Sequence, residues 1–381
     1  MGKGRPRRVA LVASSFHPHT GGVETHVRQV ARELASAGTA VEVWTVDRGG
    51  HLGTTTVDGI TVRYLPTPLP ARRLTSLVRL AGSLPRAALR WREANKAFRP
   101  DVLHVHCFGP NGVYALGLHR LTGTPLVVTS HGETFADDHG VYDRSALLRK
   151  ALRAAIVRAQ TVTAPTEFVL QDLRARFGLV GGLVVPNGIE IQAPAEEPVG
   201  LPAGRPLVLA VGRVERMKGF DLLLEALTQP GLEHAHVAIG GAGSQLSSLR
   251  EQSRAAGTAD RVHLLGGLTP GQVTTAMAAA DVVVVPSRHE AFGIVALEAW
   301  RAGAPLVGSV HGGMSEVVTD GVDGLLVDPT DPVALSAGLG ALLVDDALRQ
   351  QLVTAGRNRA TAYLWSEVVS SYVGVYEEVG A

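Results

Sequence analysis

Two stretches carry residues whose types and spacing suit the chemistry of a phosphate ester. In GRVERMKGF (Gly212–Phe220) a predicted strand gives way to a helix, and Arg213 and Lys218 project from the turn between them. A forked guanidinium and a compact ammonium match a diphosphate with several oxygens to neutralise. Lysine is scarce, four residues against 32 arginines, so Lys218 stands out from the basic background. Peptide N–H groups at the helix start would add positive potential. In PSRHEAFGIVALEAWRAGAPLV (Pro286–Val307), Glu290 falls in the loop after the strand VVVV and Glu298 eight residues on, inside the next helix. Ligands of open parallel sheets sit at the carboxyl ends of the strands, which puts Glu290 beside one. Glu298 can take ribose hydroxyls on its two oxygens, and Ala291, Phe292, Gly293 and Ile294 offer main-chain N–H groups. Either glutamate alone would read as a surface residue of an amphipathic helix. Together with Arg213 and Lys218 they point to a nucleoside diphosphate.

The first half holds a second group. Thr20-Gly21-Gly22-Val23-Glu24 joins a strand to a helix, and its glycines let main chain approach a phosphate closely. It is not the dinucleotide G-x-G-x-x-G pattern. His131 ends the strand LVVTS; a lone histidine is more often structural than functional. His104 and His106 alternate on one strand, but no Cys or carboxylate is spaced to complete a metal site with them, and no metal is expected. No Asp-x-Asp occurs to hold a divalent cation on a diphosphate. After His131 the chain is acidic (Glu133, Asp137, Asp138, Asp143), which suits a cationic acceptor such as an amino-sugar or aminocyclitol, or a plain solvated loop. Glu24, Glu133, Asp137 and Asp138 are the acceptor-side candidates.

These groups need a scaffold, and the pattern supplies one. The 381 residues are 45% hydrophobic but only 5% aromatic, a profile of α/β layers rather than an aromatic-rich sandwich. A net charge of +1 does not indicate a nucleic-acid footprint over the whole surface. One cysteine, Cys107, excludes an intrachain disulfide and a thiolate zinc cage, and suits a reducing compartment. Short β-branched runs at 9–16, 41–46, 60–65, 102–106, 126–130, 161–164 and 183–186 alternate with helical stretches. The rhythm resumes at 207–211, 236–239, 262–265, 282–285, 306–307 and 325–327, predicting two doubly wound parallel sheets. Residues 192–206, rich in Pro, Gly and Ala, read as the linker, giving domains 1–193 and 194–364. Residues 194–364 carry 12 Lys+Arg and 18 Asp+Glu, a net −6; the rest carry 24 and 17, a net +7. The basic N-terminus with its short apolar run mimics a signal peptide, but a first strand is the better reading, and a cytoplasmic protein is expected. A basic helix over 72–99 sets Arg72, Arg79, Arg86 and Arg90 opposite Leu77, Leu84 and Ala88. It could meet anionic lipid, though a solvated face is favoured.

The chain resembles the retaining glycosyltransferases of the GT-B fold, family 4. The resemblance rests on GGVETHV (21–27), TSHGE (129–133), PNGIE (186–190), GRVERMKGFDLLLEAL (212–227), GGAGSQ (240–245), the Glu290/Glu298 pair and HGGMSEVVTDGVDGLLVDP (311–329). It implies two Rossmann-like domains facing across a cleft, with residues 365–381 packing back on the first. Arg213 and Lys218 would bind the donor diphosphate, Glu290 the sugar and Glu298 the ribose. Gly21 and Gly22 would close over the phosphates, and His131 would hydrogen-bond the donor sugar. Main-chain groups around Leu264 would read the base, uracil favoured on family frequency with guanine as the alternative. The implied reaction moves a hexosyl group to a hydroxyl of a small acceptor with retention, without cofactor or divalent metal. A nucleotide-sugar epimerase of the same fold and a non-catalytic sugar-nucleotide binder are the alternatives.

Overall fold

The computed structural model describes residues 7–19, 21–50, 52–70, 74–135 and 140–379, those of 74–81 as main chain only. The chain divides into two compact units, one of residues 1–187 and 365–381, the other of residues 188–364. The boundary falls at Asn187/Gly188, before the stretch read as a linker. Residues 195–201 are bound into the second unit instead, as described below.

The first unit runs β1 (Arg8–Ala13), α1 (Gly22–Ser36), β2 (Ala40–Val46), β3 (Thr54–Val57), β4 (Ile60–Leu65), α2 (Leu74–Phe98) and β5 (Val102–His106). It continues with α3 (Pro110–Thr122), β6 (Leu126–Thr129), α4 (Val141–Arg144), α5 (Ala146–Arg158), β7 (Thr161–Ala164), α6 (Glu167–Phe177) and β8 (Leu183–Val184). Its sheet has the order β3-β4-β2-β1-β5-β6-β7-β8. All neighbours are parallel except β3 and β4, a hairpin that the sequence reading missed. Asp58 (φ 49°) and Gly59 (φ 78°) make its turn, and two consecutive left-handed residues match the twist of a two-residue hairpin. The strand candidate at 9–16 stops at Ala13, because Phe16 leaves the sheet to bury itself against the core.

The second unit runs β9 (Leu207–Val211), α7 (Phe220–Ala226), β10 (His236–Gly240), α8 (Leu246–Ala255), β11 (Val262–Gly266), α9 (Pro270–Ala279) and β12 (Val282–Val285). Then come α10 (Ile294–Ala302), β13 (Leu306–Ser309), α11 (Met314–Val317), β14 (Leu325–Val327), α12 (Pro332–Val344) and α13 (Asp346–Ala360). Its parallel sheet has the order β11-β10-β9-β12-β13-β14. The uninterrupted apolar strands are explained by cover on both faces. Val283 and Val285 join a core with α9 and α10, while Val282 and Val284 join one with α7 and α12. Helix starts follow capping chemistry: Thr269 accepts from Gln272 N, Gln272 returns the bond, and Pro270 takes the first helical position. Val199 and Leu201 pack on the first of these cores. Thr275 Oγ1 donates to Glu197 O at 2.8 Å, and Gln272 Nε2 donates to Pro198 O at 3.1 Å. The Pro-rich stretch is thus a strap across α9.

The last helix, α14 (Trp365–Val379), belongs to the first unit. Trp365, Val368, Val369, Tyr372, Val375 and Tyr376 are buried with Val9, Leu11, Val30 and Leu34 in one core. On α2 the apolar side is Ala87, Trp91 and Ala94, all buried, not Leu84 and Ala88, which are exposed. Arg86 and Arg90 are exposed too; Arg72 lies outside the described residues, as do the side chains of Leu77 and Arg79.

Candidate functional site

Each sheet has a point where its strand order reverses, and Arg213, Lys218, Glu290, Gly21 and Gly22 lie on segments that follow the strands there. In the second unit the reversal lies between β9 and β12, whose carboxyl-end loops are Gly212–Gly219 and Pro286–Gly293. Such a switch point opens a crevice for ligands in doubly wound sheets. Arg213, exposed, follows β9. A 3-10 turn over Arg216–Lys218 comes next, in place of a long helix start. Gly219 holds φ at 66°, and a Cβ there would lie 1.9 Å from Pro286 O, so only glycine lets the two loops meet. Arg288 fastens them: it donates from both terminal nitrogens to Asp221 at 2.7 Å, and its N–H bonds Met217 O at 2.9 Å. Neither Arg288 nor Asp221 was singled out from sequence, since a charged pair 67 residues apart leaves no local pattern.

Glu290 is the most constrained side chain of the site. Lys218 Nζ donates to its Oε2 at 2.7 Å, and Ser287 Oγ donates to the same oxygen at 3.0 Å. Its main chain is clamped by the HGG loop: Gly313 N donates to Glu290 O at 2.7 Å, and Glu290 N to His311 O at 3.3 Å. Burial pushes the Glu290 carboxyl up, but the Lys218 charge and the hydrogen bonds from Lys218, Ser287 and Ala291 N–H outweigh it and hold it below the usual range. Lys218 and Glu290, expected at different parts of a donor, are therefore partners of each other. The Ala291 amide is drawn in as well. Phe292 contributes its ring to the core against Tyr363 and Gly293 is left-handed, leaving the Gly293 and Ile294 amides at the start of α10. Glu298, half-buried on α10, has its carboxyl pushed up by burial, with the Arg301 charge opposing. Leu264 lies on β11, the edge strand, and lines a pocket of about 490 Å³ with Val199, Gly200, His263, Gly267 and Gln272.

In the first unit the order reverses between β1 and β5. Gly21 and Gly22 open α1 there, with Glu24 in its first turn; Thr20 lies outside the described residues. His131 follows β6, and its Nε2 lies 3.3 Å from His106 Nδ1. His26 reaches the same cluster from α1. Its ring lies edge-on to His131 at 4.8 Å, with Nδ1 bonded to Asn187 Oδ1 (2.8 Å) and Nε2 to Tyr372 Oη (3.0 Å). His104 is bonded to Tyr376 Oη and Thr129 Oγ1, both at 2.6 Å. Burial pushes all four imidazoles down, His26 to about 4 and the other three well below the usual value, so they are neutral at pH 7.

The sequence reading set metal aside because nothing was spaced to join His104 and His106. The fold instead gathers His26, His106 and His131, one ring nitrogen of each within 4.8 Å of the others. His26 has both nitrogens committed to the bonds just described, so a cation at this cluster would have to displace one of them. His26 was missed although its signal was legible: it falls on the apolar stripe Val23–Val27–Val30–Leu34 of α1.

Glu133 needs a correction. Its carboxylate accepts from Phe108 N (2.9 Å), His131 N (2.7 Å) and Ser130 Oγ (3.0 Å), and burial pushes its pKa up. It knots the β5 and β6 loops and is not a free anion facing an acceptor. Asp143 pairs with Arg176 at 3.1 Å. Asp137 and Asp138 lie outside the described residues.

Residues 20–193 match the family model for Glycosyltransferase Family 4, and residues 192–359 that for glycosyl transferases group 1. A D-inositol 3-phosphate glycosyltransferase from Acidothermus cellulolyticus is 32% identical, over 98% of this chain and 90% of that protein. The chain belongs to the family 4, group 1 glycosyltransferases. Another relative, a 2-deoxystreptamine N-acetyl-D-glucosaminyltransferase from Streptomyces fradiae, is 33% identical over 88% of this chain and 85% of its own. Among solved structures, sucrose-phosphate synthase from Thermosynechococcus elongatus aligns with a TM-score of 0.81 and 24% identity over 98% of each chain. Anabaena HepE, solved with UDP and glucose, gives 0.76 and 20% over 98% of this chain and all of that one. The fold of this glycosyltransferase is thereby GT-B, two parallel-sheet α/β domains. It is an enzyme that transfers a sugar to an acceptor. No helix among the described residues is long and apolar enough to cross a membrane.

Proposed function

We propose that this glycosyltransferase moves a hexosyl group from a UDP-sugar to a hydroxyl of a cyclitol or aminocyclitol, with retention and without a divalent metal. The observation that carries the reading is the convergence of the Arg213, Lys218 and Glu290 loops at the β9/β12 switch point. Charge that develops on a departing diphosphate would be met there by fixed cations, which need no reorganisation as the bond breaks. In this reading Lys218 turns from Glu290 to the diphosphate, freeing Glu290 for the sugar hydroxyls. Glu298 takes the ribose, and β11, as an edge strand, offers unpaired main-chain groups to the base. Gly21 and Gly22 lie over the phosphates and His131 hydrogen-bonds the sugar. The acceptor oxygen attacks from the face that the diphosphate leaves, and the diphosphate takes its proton, so no carboxylate nucleophile is required.

The acceptor class is supported by the relatives, one named for inositol phosphate and one for 2-deoxystreptamine, both hydroxylated six-membered carbocycles. UDP is supported by the complex of HepE. A cytoplasmic setting goes with the proposal. The test is a thermal-shift panel of UDP-, GDP-, ADP- and TDP-sugars with and without EDTA, followed by turnover with inositol, inositol phosphate, 2-deoxystreptamine and its deaminated analogue. A shift confined to another base, or no turnover with any cyclitol, would sink it. Equal rates with amino and deaminated acceptors would remove the cationic preference.

A further inference from the structure

His106 lies at the end of β5, fully buried, and its side chain makes one hydrogen bond: Nδ1 to His131 Nε2. Its other nitrogen, Nε2, is buried with no partner. Between two neutral imidazoles one nitrogen must donate and the other accept. If His131 donated, His106 would carry its own proton on Nε2, a buried N–H with nothing to bond. If His106 donates from Nδ1, only a lone pair is left unmet at Nε2. Orphaned buried N–H groups are the rarer and costlier arrangement.

The geometry points to His106 as a positioning residue that fixes the tautomer of His131, so that His131 carries its proton on Nδ1. This rests on the proposal that His131 meets the donor sugar. His131 Nδ1 has no hydrogen-bond partner among the described residues, and the residue is half-buried rather than sealed. The ring edge of His26 at 4.8 Å and the nearly parallel ring of His106 at 5.5 Å hold the imidazole in place. Burial keeps the cluster neutral, so the arrangement persists at pH 7. The exposed edge of His131 is then an N–H donor with no lone pair. It can grip a sugar hydroxyl through the hydroxyl's oxygen, and it cannot remove that hydroxyl's proton. His131 is thereby a binding group for the donor and not a general base.

The full-length protein labelled with 15N-histidine tests this by long-range 1H–15N correlation at pH 7.5, the His131 signals being assigned by their loss in His131→Gln. The expected wild-type pattern is protonated Nδ1 and bare Nε2. In His106→Asn the amide nitrogen stands near the position of Nδ1, so the donor, the tautomer and most of kcat/KM are retained. His106→Leu removes the donor; His131 shifts to a tautomer mixture, and kcat/KM for the nucleotide sugar falls several-fold, mostly through KM, as the fraction of His131 able to grip the sugar falls. Protonated Nε2 in the wild type would overturn the inference. So would a His106→Leu enzyme with altered tautomer and undiminished kcat/KM for the nucleotide sugar. If His106→Leu does not fold, the wild-type and His106→Asn spectra still decide. The expected tautomer in a protein that turns over no nucleotide sugar would sink the proposed function while leaving the tautomer assignment intact.

Discussion

The ammonium of Lys218 lies 2.7 Å from Oε2 of Glu290, and the two side chains are only 25% and 12% exposed. The pair is unequal in what each partner loses. Lys218→Met strands a buried carboxylate, whereas Glu290→Gln leaves an ammonium on a flexible stem that can reach water. Lys218→Met should therefore lower unfolding stability by about 2 kcal/mol, and Glu290→Gln by less than about 1 kcal/mol. The double variant should recover part of the Lys218→Met loss. Urea titrations of the three proteins measure this; a Lys218→Met cost no larger than that of Glu290→Gln contradicts it.

The same pair separates binding from chemistry. Lys218→Met should weaken UDP binding roughly tenfold or more, the worth of a charge-assisted contact. If Glu290 serves the sugar as proposed, Glu290→Ala should keep most of the UDP affinity and lose turnover by about a hundredfold. Calorimetry with UDP and initial-rate kinetics read the two effects. Parallel losses of affinity in both variants would show that Glu290 serves binding alone.

Gly219→Ala is a sharper perturbation than its size suggests. The added methyl meets the carbonyl of Pro286 in a left-handed residue, so the β9 and β12 loops must part. A stability loss of about 2 kcal/mol or more is expected, together with weaker UDP binding. An unchanged melting temperature would mean that the loops are not held in contact.

Turnover should survive chelation, since Arg213 and Lys218 are assigned the work of a divalent ion. Activity measured in excess EDTA should equal that in magnesium. Abolition by EDTA with rescue by magnesium would remove the metal-free mechanism.

Acid should loosen the first unit through its histidines. His26 titrates at about 4 in the fold and near 6.5 when unfolded, so between those values the unfolded chain binds more protons. Stability present above pH 6.5 is thus lost as the pH falls toward 4, on the order of 3 kcal/mol for His26 alone. His104, His106 and His131, pushed down in the same direction, add to the loss. Melting curves from pH 7.5 to 4 should fall steeply across that window. A flat profile would mean the cluster is open to water.

The architecture was legible because its signal is local: an apolar run such as Val282–Val285 needs only its neighbours to be recognised as a strand buried on two faces. The placement of Arg213, Lys218 and Glu290 on loops at strand ends was legible for the same reason, each lying past such a run. What stayed hidden is what strand order creates. Nothing between positions 221 and 288 announces a bidentate pair, and TSHGE alone does not say that Glu133 is spent on three donors from two loops. The β3–β4 hairpin was a different lapse. Its Asp58-Gly59 turn between β-branched residues is a local signal that the reading passed over. Pro-rich composition speaks of irregular backbone, not of freedom: residues 195–201 are irregular yet tied to α9.

The first unit is not continuous in the chain: it is left at Asn187 and regained at Trp365, and both residues rest against the imidazole of His26. The second unit can accordingly be excised from the gene as a single uninterrupted cassette, whereas a fragment ending at 187 would lack the aromatic wedge that fills its own interior. Recombining donor and acceptor preferences between members of this family would therefore demand two splice points, and the tail beyond 364 would have to travel with the amino-terminal parent.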